Sequence, residues 1–167
     1  MLLRGRHYAT GQRVDVVCDA GVITSIGHAT TKPADREAGW IAPALFDLQI
    51  NGCDGHSFNS AKLTRDDVRH VVQTCRKHGI AELLPTLITG SFEALLHGFT
   101  TLRQACAAEP DLSRAIPGYH LEGPYIAPAR KGTHDEAKFR TPDADEIELA
   151  TSLGNGVTVI TLAPERV

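Results

Sequence analysis

Two side chains able to do chemistry stand in His120-Leu121-Glu122-Gly123-Pro124. Glu122 ends an apolar run directly before a Gly-Pro corner. A carboxylate fixed there can ligate a divalent cation, since zinc accepts carboxylate oxygens beside imidazole nitrogens. It could equally be a surface Glu before a turn, or the partner of an arginine. His120 precedes it by two, and residues i and i+2 of a strand share a face. Its imidazole is either a ligand or a packed, hydrogen-bonded group. Gln49 and Asn51 have the same spacing after another apolar run. Amides ligate metals weakly but orient water or substrate well; the alternative for Asn51-Gly52 is turn chemistry. The compact loop Lys131-Gly132-Thr133-His134 offers an ammonium, a hydroxyl and an imidazole that suit a sugar hydroxyl or a phosphate, or merely solvent. His7, His28, His70, His78 and His97 show no partner pattern and read as surface or helix-face residues.

These groups need elements to position them. Arg13 to Cys18 and Val22 to Gly27 are β-rich runs about the turn Asp19-Ala20-Gly21, which predicts a hairpin. Residues 28–39 are polar, carry Pro33 and Gly39, and read as a loop or linker, with a domain boundary near Trp40 that separates residues 1–42 from 43–167. Ala44 to Ile50 is a mostly apolar run, expected to be a buried strand. Thr64 with Asp67 three places on is box-like capping chemistry. Val68, Val71, Val72 and Cys75 follow at helical spacing, and Gly79 ends the element. Glu82 to Ile88 is the next strand. Ser91 can cap a second helix with Phe92, Leu95, Leu96, Phe99, Leu102 and Cys106 on one face, stopped by Pro110. Ala115 to Leu121 is a third strand, and residues 123–140 are a polar loop. Thr141-Pro142 opens a helix to about Leu153, with Gly154 as its C-terminal glycine, and Val157 to Leu162 is a fourth strand.

The order β-α-β-α-β-α-β predicts an α/β fold with a parallel sheet. Either an open doubly wound sheet or half of a (β/α)8 barrel fits. A barrel needs about 250 residues, whereas about 120 follow the boundary, so four strands would leave unpaired edges. Both architectures put ligands at the C-terminal ends of the strands, where Gln49, Thr89, Glu122 and Glu165 fall.

The 167 residues are 42% hydrophobic and 22% charged, which allows a sizeable core. The net charge of −3 and the scattered basic residues argue against a nucleic-acid partner. No apolar run has the length of a signal or a membrane span, so a cytoplasmic protein is expected. The four cysteines, Cys18, Cys53, Cys75 and Cys106, form no CxxC pair, and the last two sit on apolar helix positions as core thiols.

Three segments resemble the N-acetylglucosamine-6-phosphate deacetylases of the amidohydrolase superfamily. Ala42-Pro43-Ala44-Leu45-Phe46-Asp47-Leu48-Gln49-Ile50-Asn51-Gly52 is similar to the first barrel strand of that family. His120-Leu121-Glu122-Gly123-Pro124-Tyr125 with Lys131-Gly132-Thr133-His134 resembles its third strand and substrate loop, and Thr161-Leu162-Ala163-Pro164-Glu165 its fourth strand end. The resemblance implies the first half of a (β/α)8 barrel preceded by a small β-sandwich segment. It implies hydrolysis of the acetamide of N-acetylglucosamine 6-phosphate, with Glu122 as a metal ligand and Thr133 and His134 in the substrate pocket. Gln49-x-Asn51 stands where many superfamily members carry His-x-His, which resembles the branch with a single divalent metal, usually zinc. The implied partners are a small amino-sugar phosphate and, in the full-length form, a second copy in a homodimer. The family's two metal-binding histidines and catalytic aspartate fall on later strands, beyond Val167. Two other readings stand beside this one: an amidohydrolase of different substrate, and a non-catalytic half-barrel.

Overall fold

The computed structural model describes residues 1–152 and 156–166 and divides the chain into two compact units, Met1–Pro43 and Ala44–Val167. In the first unit β1 (Leu2–His7), β2 (Arg13–Asp19), β3 (Val22–His28) and β4 (Arg36–Ile41) form one sheet in the order β3-β2-β1-β4. The expected β2–β3 hairpin is present, and Ala20 and Gly21 take positive φ at its turn, as a two-residue hairpin turn requires. Segment 28–39 departs from the loop reading, because its end forms β4, parallel to β1. Its preceding residues are tied down as well. Arg4 and Asp15, cross-strand partners on β1 and β2, form a buried ion pair at 2.7 Å. Asp15 also accepts from the amide and hydroxyl of Thr30, and Arg4 donates to the Lys32 carbonyl.

In the second unit β5 (Leu45–Ile50) is followed by a short hairpin, β6 (Gly52–Cys53) and β7 (His56–Ser57), and then by α1 (Arg65–Lys77), β8 (Ile80–Ile88) and α2 (Phe92–Ala108). Next come α3 (Pro110–Ala115), β9 (Tyr119–Glu122), α4 (Ala144–Ser152) and β10 (Val157–Thr161). The four longer strands make a parallel sheet in the order β10-β9-β8-β5. The α/β class with a parallel sheet is therefore present.

Capping chemistry sets the helix starts. Thr64 and Asp67 form a reciprocal capping box, and the Ser91 hydroxyl accepts from the Ala94 amide. Three boundaries differ from expectation, one being the strand expected from Ala115, which begins only at Tyr119 because Ala115 ends α3. Pro110 ends α2 but also occupies the first turn of α3, where its missing N–H costs nothing. The cap of α4 is Asp143, whose carboxylate accepts from the Glu146 amide at 2.9 Å, rather than Thr141. The expected end of that helix at Leu153 and Gly154 lies outside the described residues.

Alternation along the strands sorts the side chains. Leu83 and Leu87 of β8 and Tyr119 and Leu121 of β9 join Val68, Val71, Val72, Phe99 and Leu102 in the helix-side core. Gly98 lets α2 approach β8, since a Cβ there would meet the Leu87 side chain at 2.7 Å. Thr86, His120 and Glu122 alternate with that set and so share the opposite face. β5 is not the buried strand expected from its composition: Leu45, Phe46 and Leu48 are exposed. The strand is paired only with β8, at the sheet edge.

Candidate functional site

The C-terminal ends of β5, β8, β9 and β10 gather a polar cluster around Glu122. Its side chain is 19% exposed, between the extremes of a solvated and a sealed carboxylate. Gln49, from the end of β5, donates its amide N–H to Glu122 Oε2 at 2.9 Å. His134, from the loop after β9, places Nε2 at 3.7 Å from Glu122 Oε1. The other nitrogen of that ring, Nδ1, is hydrogen-bonded to Thr89 Oγ1 at 2.8 Å, which fixes the ring's orientation. One carboxylate thus meets an amide from one side and an imidazole from the other.

His120 shares the face of Glu122 but has both nitrogens occupied. Nδ1 meets Thr86 Oγ1 at 3.2 Å and Nε2 meets Thr161 Oγ1 at 2.8 Å. The imidazole therefore bridges β8, β9 and β10. Burial lowers its pKa from the ordinary histidine value, only partly opposed by the nearby Glu122 charge, which favours a neutral ring.

The loop after β9 is held close to the sheet by its backbone. Gly123 has φ of +81°, and a Cβ there would meet Thr89 Oγ1 at 2.3 Å, so this corner admits only glycine. Its N–H donates to the Thr161 carbonyl at 3.0 Å. Further along, Arg140 donates to the Gly90 carbonyl at 2.9 Å and pairs with Glu146. These bonds bring His134 back over the strand ends from 12 residues beyond Glu122.

Asn51 and Thr133 are not brought into the cluster among the described residues. Asn51 lies one residue beyond β5, so the strand's alternation does not carry it onto the face of Gln49. It is exposed, and its carbonyl accepts from the Phe58 amide at 2.9 Å. The turn dipeptide of this segment is Asp54-Gly55, both at positive φ between β6 and β7, rather than Asn51-Gly52. Thr133 is exposed at the loop surface. The Lys131 ammonium lies 3.9 Å from Glu136.

Some positioning residues carry no distinctive sequence signal. Asn59 receives the Ile88 N–H and donates to the Thr86 carbonyl, closing the open end of β8 as a neighbouring strand would. Thr89, just after β8, and Thr161, the last residue of β10, are single hydroxyls. His70, which shows no partner in sequence, meets Asp54 at 2.7 Å.

Among the described residues no three His, Cys, Asp or Glu side chains are grouped so as to hold a metal ion. A catalytic zinc site needs about three protein ligands and an open position. The described residues therefore do not make up a complete metal site, although a carboxylate such as that of Glu122 is a donor type that zinc accepts.

The chain is 31% identical over 162 residues to the N-acetylgalactosamine-6-phosphate deacetylase of Shewanella sp. (strain ANA-3), covering 96% of this chain and 40% of the relative. It is 35% identical over 129 residues to the N-acetylglucosamine-6-phosphate deacetylase of Bos taurus, covering 75% of this chain and 31% of the relative. Its fold superposes with a TM-score of 0.84 and 30% identity on a mutant N-acetyl-D-glucosamine-6-phosphate deacetylase from Mycobacterium smegmatis in complex with N-acetyl-D-glucosamine-6-phosphate. That match covers 99% of this chain and 44% of the other.

The chain is related, in sequence and in fold, to the amino-sugar-phosphate deacetylases.

No family model matches it. The chain spans 40% and 31% of the length of these two curated deacetylases. Among the described residues no helix is long and apolar enough to cross a membrane.

Proposed function

We propose that this chain forms the first half of a (β/α)8 barrel in a metal-dependent deacetylase that hydrolyses the acetamide of N-acetylglucosamine 6-phosphate to glucosamine 6-phosphate and acetate. Unit Met1–Pro43 supplies part of a small β-sandwich. The observation that carries the reading is the position of Glu122. It is a half-buried carboxylate at the C-terminal end of a central parallel strand, held by Gln49 and faced by His134.

Each local residue has a task that its contacts support. Gln49 holds Oε2, and Oε1, with His134 Nε2 3.7 Å away, is the oxygen by which one divalent ion, zinc by expectation, would take Glu122 as a ligand. The other ligands would come from outside Met1–Val167. The chemistry that a metal bound there supplies is polarisation of the acetamide carbonyl and activation of water. His134, with Nδ1 engaged by Thr89, presents Nε2 to a substrate oxygen, and the exposed Thr133 beside it offers a hydroxyl to the sugar phosphate.

The test is acetate release, with and without added zinc, from Met1–Val167 alone and from a chain of the relatives' length that contains it. Turnover is expected in the longer form, with zinc retention falling about 100-fold or more on Glu122→Gln. Full zinc content and full rate in that variant would remove Glu122 from the site. The Shewanella relative is named for the galactosamine epimer. Both sugars are therefore assayed, and a preference for that epimer would revise the substrate while leaving the reaction class intact.

A further inference from the structure

Away from Glu122, the β6–β7 hairpin is fastened to α1 at three points. His56 Nδ1 meets Asp67 Oδ1 at 2.5 Å, and His70 Nε2 meets Asp54 Oδ2 at 2.7 Å. The two imidazoles lie against each other between these contacts, with ring centroids 4.2 Å apart. The third point is made of sulfur. Cys53 Sγ lies 3.9 Å from the Val71 carbonyl, the acceptor that an α-helix directs toward the amide of Cys75. Cys53 packs against the core cluster that contains Cys75, and the turn of α1 that it meets is the one leading to Cys75. Both are free, Cys53 half-buried and Cys75 buried in the core. The other two cysteines lack this arrangement: Cys18 lies in the unit Met1–Pro43, and Cys106 is buried in α2.

A disulfide needs two sulfurs within reach on backbones that need not move far. Here two neighbouring elements supply them, and His–Asp contacts hold those elements together. We propose that Cys53 and Cys75 are a reversible thiol–disulfide pair, oxidised by hydrogen peroxide or by a low-molecular-weight disulfide, whose bond locks the β6–β7 hairpin to α1. With peroxide, the Cys53 thiolate attacks one peroxide oxygen, breaking the O–O bond and leaving a sulfenic acid and, after proton transfer, one water. The Cys75 sulfur then displaces the hydroxyl from Cys53, forming the S–S bond and releasing a second water. Two thiols lose two electrons in all, and both peroxide oxygens leave as water. Exposure sets the order of events, because an oxidant reaches the half-buried Cys53 first. The Cys75 thiol, pushed up to about 11 by burial and then by its Cys53 neighbour, stays protonated until the second step. The hairpin directly follows the strand that carries Gln49, so the bond also restrains the segment leading away from it.

The experiment treats the folded chain with peroxide, counts free thiols, and maps the linked peptides. Four thiols are expected before treatment. Two are expected after it, with one Cys53–Cys75 peptide that disappears on adding dithiothreitol. The oxidised chain should melt several degrees above the reduced one. Cys53→Ser, at a half-buried position, and Cys75→Ala, in the core, should each abolish the intramolecular bond and the rise in Tm. Several results would overturn the proposal: a Cys53 sulfinic acid with Cys75 still free, disulfide-linked dimers in place of the internal bond, or unchanged thiol content at peroxide concentrations that oxidise free cysteine.

Discussion

Strands β9 and β5 belong to the same parallel sheet and both read as apolar runs, yet their surroundings are opposite. β9 lies between β8 and β10, and Tyr119, His120 and Leu121 are all buried. β5 has one strand neighbour, and Leu45 and Leu48 are 61% and 59% exposed. The two strands differ in the number of sides that neighbouring elements cover, and apolar content does not encode that number. Among the described residues β5 is anchored by pairing with β8, by Ile50 packed against the core, by the Ile50 amide donating to Thr86 Oγ1 at 3.1 Å, by the Leu45 amide donating to the Gly79 carbonyl and by Gln49 on Glu122. β9 carries Glu122 itself, and β5 delivers Gln49 to its carboxyl. The site thus joins a rigid wall to a lightly held one.

The largest test of this contrast is in the core behind β9. Phe99 of α2 is buried and packs its ring 5.6 Å from that of Tyr119. Phe99→Ala should cost about 3–5 kcal/mol, measured as a shift in the urea midpoint. A loss below about 1 kcal/mol would mean that the helix layer does not support β9 and that the contrast with β5 is false.

His120 tests the polar face of the same strand. His120→Ala removes a group bonded to two threonine hydroxyls and should cost about 1–3 kcal/mol. The folded ring resists protonation, whereas the unfolded ring accepts a proton near the ordinary value of 6.5. The unfolded state therefore binds more protons in that range, and stability should fall as pH drops below about 6.5. In His120→Gln this part of the pH dependence should vanish; an unaltered slope would show that other groups cause it.

A smaller effect is expected at the start of α1. Thr64→Ala removes the acceptor for the Asp67 amide and should cost about 1 kcal/mol. The Asp67 carboxyl is held down to about 2 by hydrogen bonds from Thr64 and then His56. Its contribution is complete above the ordinary carboxylate value and is lost as pH falls toward 2. Asp67→Asn should flatten stability between about pH 4 and 2.

Local chemistry explains which of these features could be read in advance. The capping box at Thr64, the cap at Ser91 and the β2–β3 turn involve residues within three or four positions of one another. The alternation that puts His120 and Glu122 on one face is equally local. What escaped depends on distant partners. β4 exists because β1 pairs with it across 33 to 34 residues, and its own residues are largely exposed, so they show no inward period. Asn59 acts through backbone groups of β8, and Thr89 through a loop that returns 45 residues later. Pro110 reads as a stop, yet proline also suits a first helical turn, and only packing decides between the two.

The smallest predicted effect examines β5 directly. Leu48→Ser removes an exposed leucyl side chain from the edge strand, and in an isolated chain stability should change by no more than about 0.5 kcal/mol. Apolar surface at an open parallel edge promotes association, so the substitution should also lower the tendency to aggregate, read by light scattering at matched concentration. A cost above about 1.5 kcal/mol in dilute solution would show that Leu48 is covered there. β5 would then resemble β9, and Gln49 would hold Glu122 from a wall as firm as the one behind His120.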